Sequence, residues 1–180
     1  LIPAGRLGGG PSIQGQGKYL IDAGHSTTIY NGECVKISSG YVVGGNGSAA
    51  DIVGVLNGIF YNDASTLKPT FANFYKATIT PANSEDTVAF VIDDPFQQYV
   101  VSTDDARTQA QFLATYDMNS SAGSDTTGKS SSTLDTSVTD ANGKQFRLLR
   151  TAEDPENEDI TAAFFSGIVV SNTNSFNGHN

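Results

Sequence analysis

Apolar and polar residues in this chain change places in short runs, broken by glycine and asparagine, and they seldom recur at helical spacing. Residues 27–30 (Thr-Thr-Ile-Tyr), the pair Asn31-Gly32 and residues 33–37 (Glu-Cys-Val-Lys-Ile) give the strongest hairpin signal, since a two-residue turn of this kind favours positive φ. Tyr41-Val42-Val43 comes after a Ser-Gly step as a further strand. Residues 52–61 are apolar almost throughout and predict a central strand, with Gly54 and Gly58 marking a bulge or a close backbone approach. Strands are also expected at 76–80, 88–93, 97–102, 111–118, 133–138, 145–149 and 163–170, with Asn142-Gly143 setting a second hairpin turn. One helical turn is expected over 102–109, with Ser102 as N-cap and Asp105 three residues on. Many short strands with turn chemistry between them predict an all-β fold. The expectation is an antiparallel β-sandwich or barrel with an extended N-terminal arm and little or no helix.

The arm is residues 1–17, where three consecutive glycines and two prolines leave no usable period. Residues 18–180 read as a single β domain. Within it, 119–132 is a low-complexity Ser/Thr/Gly/Asp loop, and 153–159 is an acidic run around Pro155.

Composition narrows the function. The net charge is −9 with only 10 Lys and Arg, so a basic stripe for phosphate neutralisation is missing and nucleic acid is not an expected partner. Polybasic membrane attachment is disfavoured for the same reason, and no apolar run approaches the ~20 residues of a membrane span. No secretory signal is visible. The single cysteine, Cys34, excludes an intramolecular disulfide, and beside Val35 and Ile37 it reads as a buried structural thiol.

One stretch spells an enzyme motif. Residues 123–130 (Gly-Ser-Asp-Thr-Thr-Gly-Lys-Ser) match the phosphate-cradling pattern G-x-x-x-x-G-K-[ST], in which Lys129 would reach the phosphates and Ser130 would hold Mg²⁺. The pattern needs a strand before it and a helix after it. The residues after Lys129 are rich in Ser, Thr and Asp and carry no apolar stripe at helical spacing. The acid-ended run 88–93 lies upstream of the loop, the reverse of the usual order. A nucleotide enzyme is therefore disfavoured, and Lys129 reads as an exposed loop charge.

Other chemistry has little foothold. His25 and His179 stand at no zinc spacing with Cys34 or an acid, so neither a catalytic nor a metal site is expected. Asp93-Asp94-Pro95 and Asp104-Asp105 offer paired carboxylates without a Ca²⁺-loop spacing, and read as turn formers. The chain is expected to work without catalysis and without a cofactor.

The order of the pieces resembles a family of small structural proteins of tailed bacteriophages that decorate or cement the head. The shared pieces begin with Gly32-Glu33-Cys34-Val35-Lys36-Ile37 and the run from Ile52 through Gly54, Gly58 and Tyr61. They continue with Phe71, Phe74, Tyr75 and Pro81-Ala82, then Val88 to Pro95, then Thr126-Thr127-Gly128-Lys129-Ser130. Phe146 through Leu149 and Pro155-Glu156-Asn157-Glu158 complete the series. The resemblance covers nearly the whole chain but departs at Asn172-Thr173-Asn174-Ser175-Phe176, where relatives place an N-x-H-x-[FY] strand.

The resemblance implies a non-enzymatic virion protein that binds the outer surface of a tailed-phage head and cements neighbouring capsid subunits. Its partner would be the major capsid protein, and it would act as a homo-trimer or homo-dimer on the capsid, made in the bacterial host cytoplasm. Leu1, Ile2, Arg6, Leu7, Ile13 and Tyr19 are the expected contacts of the arm. The alternative is a β-sandwich binding module of a phage surface or tail structure that touches host glycans, for which Tyr75, Phe96 and Tyr99 are the candidate exposed aromatics.

Overall fold

A computed structural model describes residues 1–10, 15–47, 51–119, 123–140 and 143–176. Strands are numbered in chain order. The first sheet runs β1 (Ile2–Arg6), β8 (Gln97–Ser102), β12 (Ser166–Ser171), β11 (Phe146–Thr151), β9 (Thr115–Met118), β10 (Leu134–Asp140). The second runs β2 (Gly17–Ile21), β7 (Thr87–Ile92), β5 (Gly54–Asn62), β3 (Cys34–Ser38), β4 (Tyr41–Gly44), with β6 (Pro69–Ala72) added to the far half of β5. All neighbouring pairs in both sheets are antiparallel, and the two sheets pack as a sandwich. Helix among the described residues is limited to two single 3-10 turns, Ala82–Ser84 and Gln109–Gln111.

Two apolar clusters hold this together. One lies between the sheets: Tyr99, Tyr116, Phe146, Leu148, Phe165 and Val169 from the first meet Cys34, Val55 and Ile92 from the second. The other lies on the opposite face of the second sheet, where Val35, Leu56, Ile59, Ala89 and Val91 pack with Ile29 and Tyr75 from loops. The second sheet curls around that cluster until its end strands, β2 and β4, lie side by side. Strand periodicity sorts the residues: along β7, Thr87, Ala89 and Val91 are buried while Val88 and Phe90 between them are half-buried.

Gly54 answers to close approach. A Cβ there would stand 2.1 Å from the Ile92 carbonyl oxygen, so no side chain fits between β5 and β7 at this point. Three residues on, the β5–β7 register shifts between Leu56 and Gly58, leaving Asn57 as the exposed residue of a bulge.

Several expectations need correction. The turn at Asn31-Gly32 exists, with Gly32 at φ +81 and Glu33 N–H donating to Tyr30 O at 3.1 Å, but it joins no hairpin. Residues 27–30 form no strand: Ile29, fully buried in the second cluster, pairs only with Tyr75 in a lone bridge. Residues 76–80 form no strand either. The segment 111–118 is strand only from Thr115, preceded by the turn at Gln109–Gln111, whose capping box joins Thr108 and Gln111 in place of the expected Ser102 cap. The expected hairpin at Asn142-Gly143 is absent: β9 lies between β10 and β11 in the sheet, and Asn142 itself is outside the described residues. The edge strands β2 and β6 carry no clear sequence signal, since apolar side chains on both faces of β2 and a proline in β6 hide the alternation.

Candidate functional site

Three places concentrate unusual chemistry. The first is the outward face of the second sheet. Leu20 stands opposite Val88, Val88 opposite Phe60, and Phe60 opposite Phe71, so one row crosses β2, β7, β5 and β6. Directly opposed residues share a face. This is the face that, farther along, carries Ile92 and Val55 against the first sheet, but here no strand of the described residues covers it. Phe71 is 73 % exposed and Leu20 45 %. The Phe71 ring lies 4.8 Å from Phe60 and 6.3 Å from Phe90 by centroid, so the three rings form one surface cluster. Lys18, Asn62 and Glu85 border it, the last two joined by a 3.3 Å hydrogen bond.

The second place is a cleft of about 600 Å³ at the open side of β1. Ile2 and Phe164 form its rim, with Val55, Leu56, Ile92 and Val101 at its floor and Asn31, Asn57 and residues 129–133 as its polar wall. The main chain of Asn31 fixes that wall: its N–H donates to Gly128 O at 2.8 Å, and Ser130 N–H donates to its carbonyl at 2.9 Å.

The wall contains P-loop-like residues, and the main-chain amides of Ser124, Thr127, Gly128, Lys129 and Ser130 are already engaged. Ser124 N–H donates to Lys129 O, Gly128 N–H to Ser124 O, and Ser130 N–H to Asn31 O. Thr127 and Lys129 N–H donate to the hydroxyls of Ser124 and Thr127. Gly123 and Ser130 close the loop as an antiparallel bridge, and strand β10 comes next where a helix would be needed. With those five amides committed and no helix N-terminus behind the loop, the phosphate-cradling arrangement of the motif is not formed.

The third place joins the sheets beneath the cleft. Glu33 is only 9 % exposed and accepts the Tyr30 N–H at 2.9 Å; burial lifts its carboxyl to about 7 despite that hydrogen bond. Next to it, the fully buried Cys34 thiol donates to Asn46 Oδ1 at 2.9 Å, and burial pushes its ionisation up, so it is no nucleophile. Asn46 in turn donates to the Ser132 hydroxyl at 2.5 Å. Among the described residues no group of His, Cys, Asp and Glu is placed to hold a metal ion.

The expected arm contacts are distributed over the molecule. Leu1 packs on the inter-sheet core and its nitrogen donates to Gly32 O at 2.9 Å. Ile2 is 67 % exposed on β1, which is hydrogen-bonded to β8 along one side. Arg6 donates to Asp94 at 2.9 Å and lies 5.4 Å over the Phe96 ring. Leu7 is exposed just beyond, its N–H bonded to Phe96 O. Tyr19 belongs to the second sheet and donates to Asp93 at 2.7 Å. Ile13 is outside the described residues.

Of the three candidate exposed aromatics, Tyr75 and Tyr99 are core residues at 1 % and 2 % exposure, and Phe96 alone reaches the surface. The exposed cluster consists of Phe60, Phe71 and Phe90. Its only sequence signal is Phe60 and Phe90 falling out of step with their buried neighbours. No family model, curated protein or solved structure matches this chain.

Proposed function

We propose that this chain is a non-enzymatic virion protein that binds the outer surface of a tailed-phage head, contacts the major capsid protein and cements neighbouring capsid subunits as a homo-trimer or homo-dimer. The uncovered row Leu20–Val88–Phe60–Phe71, with Phe90 beside it, is the observation that carries the reading. Four adjacent strands make the row about 15 Å wide. A contiguous exposed apolar patch rimmed by polar residues marks an interaction surface. The resemblance of the ordered motifs to head-decoration proteins says which kind of partner covers it.

A stable interface needs about 800 Å² from each partner, so the aromatic row serves as the dry centre of a larger contact. Repetition over a shell multiplies a modest affinity through avidity. The acidic composition of the chain keeps a crowded particle surface soluble.

Heat resistance of particles with and without the protein tests the reading. Particles lacking it should release DNA at lower temperature, and adding back wild-type protein should restore them while Phe71→Asp should not. Equal heat resistance of bare and covered particles would reject cementing.

A further inference from the structure

We propose that the cleft between β1 and residues 129–133 binds a short saccharide bearing a carboxylate, a function independent of head attachment. Its volume of about 600 Å³ falls within the range of small-ligand sites. The lining combines apolar and hydrogen-bonding groups, as the surface of a sugar ring does. Ile2 and Phe164, 67 % and 59 % exposed, present apolar surface at the rim for the C–H face of a pyranose. Phe164 is held there at φ +65, a conformation an aromatic residue rarely adopts and one that clusters at binding sites.

Two carboxamides also line the cleft. Asn57 is the bulged residue of β5, and bulges re-aim side chains beside functional sites. Its carboxamide has no hydrogen-bond partner among the described residues. Asn31 donates to Asn57 O at 2.8 Å, which leaves the Asn31 Oδ1 acceptor uncommitted. Donor and acceptor side by side are what vicinal hydroxyls require.

Lys129 supplies the charge. Its ammonium forms no ion pair among the described residues, whereas the nearest loop acid, Asp125, is held by Lys76 at 3.3 Å and by the Tyr30 hydroxyl at 2.8 Å. The net charge of −9 is spread over the whole molecule, and at physiological salt charges beyond ~8 Å are largely screened, so the local lysine decides the sign.

Other occupants fit less well. A peptide adding to β1 would meet Pro3, which has no N–H to donate, and a register break before Gly5. A nucleotide phosphate finds the amides of Gly128, Lys129 and Ser130, central to the motif, already used. A purely aliphatic ligand would have little to bury, because Val55, Leu56 and Ile92 on the floor are at most 2 % exposed.

The test is titration of ¹⁵N-labelled protein with digalacturonate, with neutral galactobiose and with hexanoate, read by amide shifts. Digalacturonate should move the amides of Asn57, Lys129 and Phe164, weaken with added salt, and bind about tenfold more tightly than either control. Lys129→Gln should remove that charge preference, and Asn57→Ala should weaken both sugars, each variant keeping the wild-type spectrum elsewhere. Galactobiose binding as well as the acid would overturn the carboxylate assignment. Hexanoate binding as well, shifts confined to other surfaces, or no shifts at millimolar sugar would overturn the saccharide site.

Discussion

Gln145 donates its side-chain amide to the main-chain carbonyl of Gly45 at 2.6 Å, from one sheet to the other. The same side chain accepts the Met118 N–H at 3.0 Å, and Gln145 is fully buried. Gln145→Leu leaves both main-chain groups unpaired away from water and should cost about 3 kcal/mol. Urea denaturation should show that loss in a single transition, because one polar side chain ties both sheets together.

Gly54 should tolerate no side chain. The atom a Cβ would strike is the Ile92 carbonyl, main chain at the heart of the β5–β7 pairing, so the neighbour cannot swing away. Gly54→Ala should destabilise by about 3 kcal/mol, measured by thermal or chemical unfolding.

Glu33 makes stability depend on pH. Its folded-state pKa, about 7, lies above the ordinary carboxyl value of 4.5, so the folded protein binds more protons than the unfolded chain between those values. The stabilisation is therefore fully present below about pH 4.5 and is lost as pH rises through about 7, to the extent of about 3 kcal/mol. Glu33→Gln should remove that slope: the difference in unfolding free energy between wild type and variant should shift in favour of the variant across this window.

Lys129 should be dispensable for folding and for nucleotides. It is exposed and unpaired among the described residues, so Lys129→Ala should change stability by no more than about 0.5 kcal/mol. Calorimetric titration of MgATP into wild type and variant should show no binding by either, since the amides of Ser124, Thr127, Gly128, Lys129 and Ser130 are bonded to neighbouring main-chain and hydroxyl oxygens and strand β10 follows where a helix would be needed.

The class of fold was legible because turn residues and short apolar runs are local signals. Asn31-Gly32 did mark a turn, and residues 88–93 and 97–102 correspond to β7 and β8. Pairing was not legible, because it depends on partners distant in sequence. Ile29 reads as a strand residue yet plugs the second cluster, and the segment before β11 looks like a hairpin although β9 comes between. The candidate site was hidden for a related reason. Phe60 and Phe71 look like core residues, and only the extent of the first sheet decides that they stay uncovered. Asn57 owes its exposure to a bulge that Gly58 hints at but does not place.

Electron microscopy of intact phage particles, at a resolution that shows strands, tests head attachment most directly. Cementing predicts the two-sheet body on the outer surface of the head, at repeated symmetry-related positions, with Leu20, Phe60 and Phe71 turned toward the shell. Density for this protein on the tail, or its absence from the head surface, would contradict it.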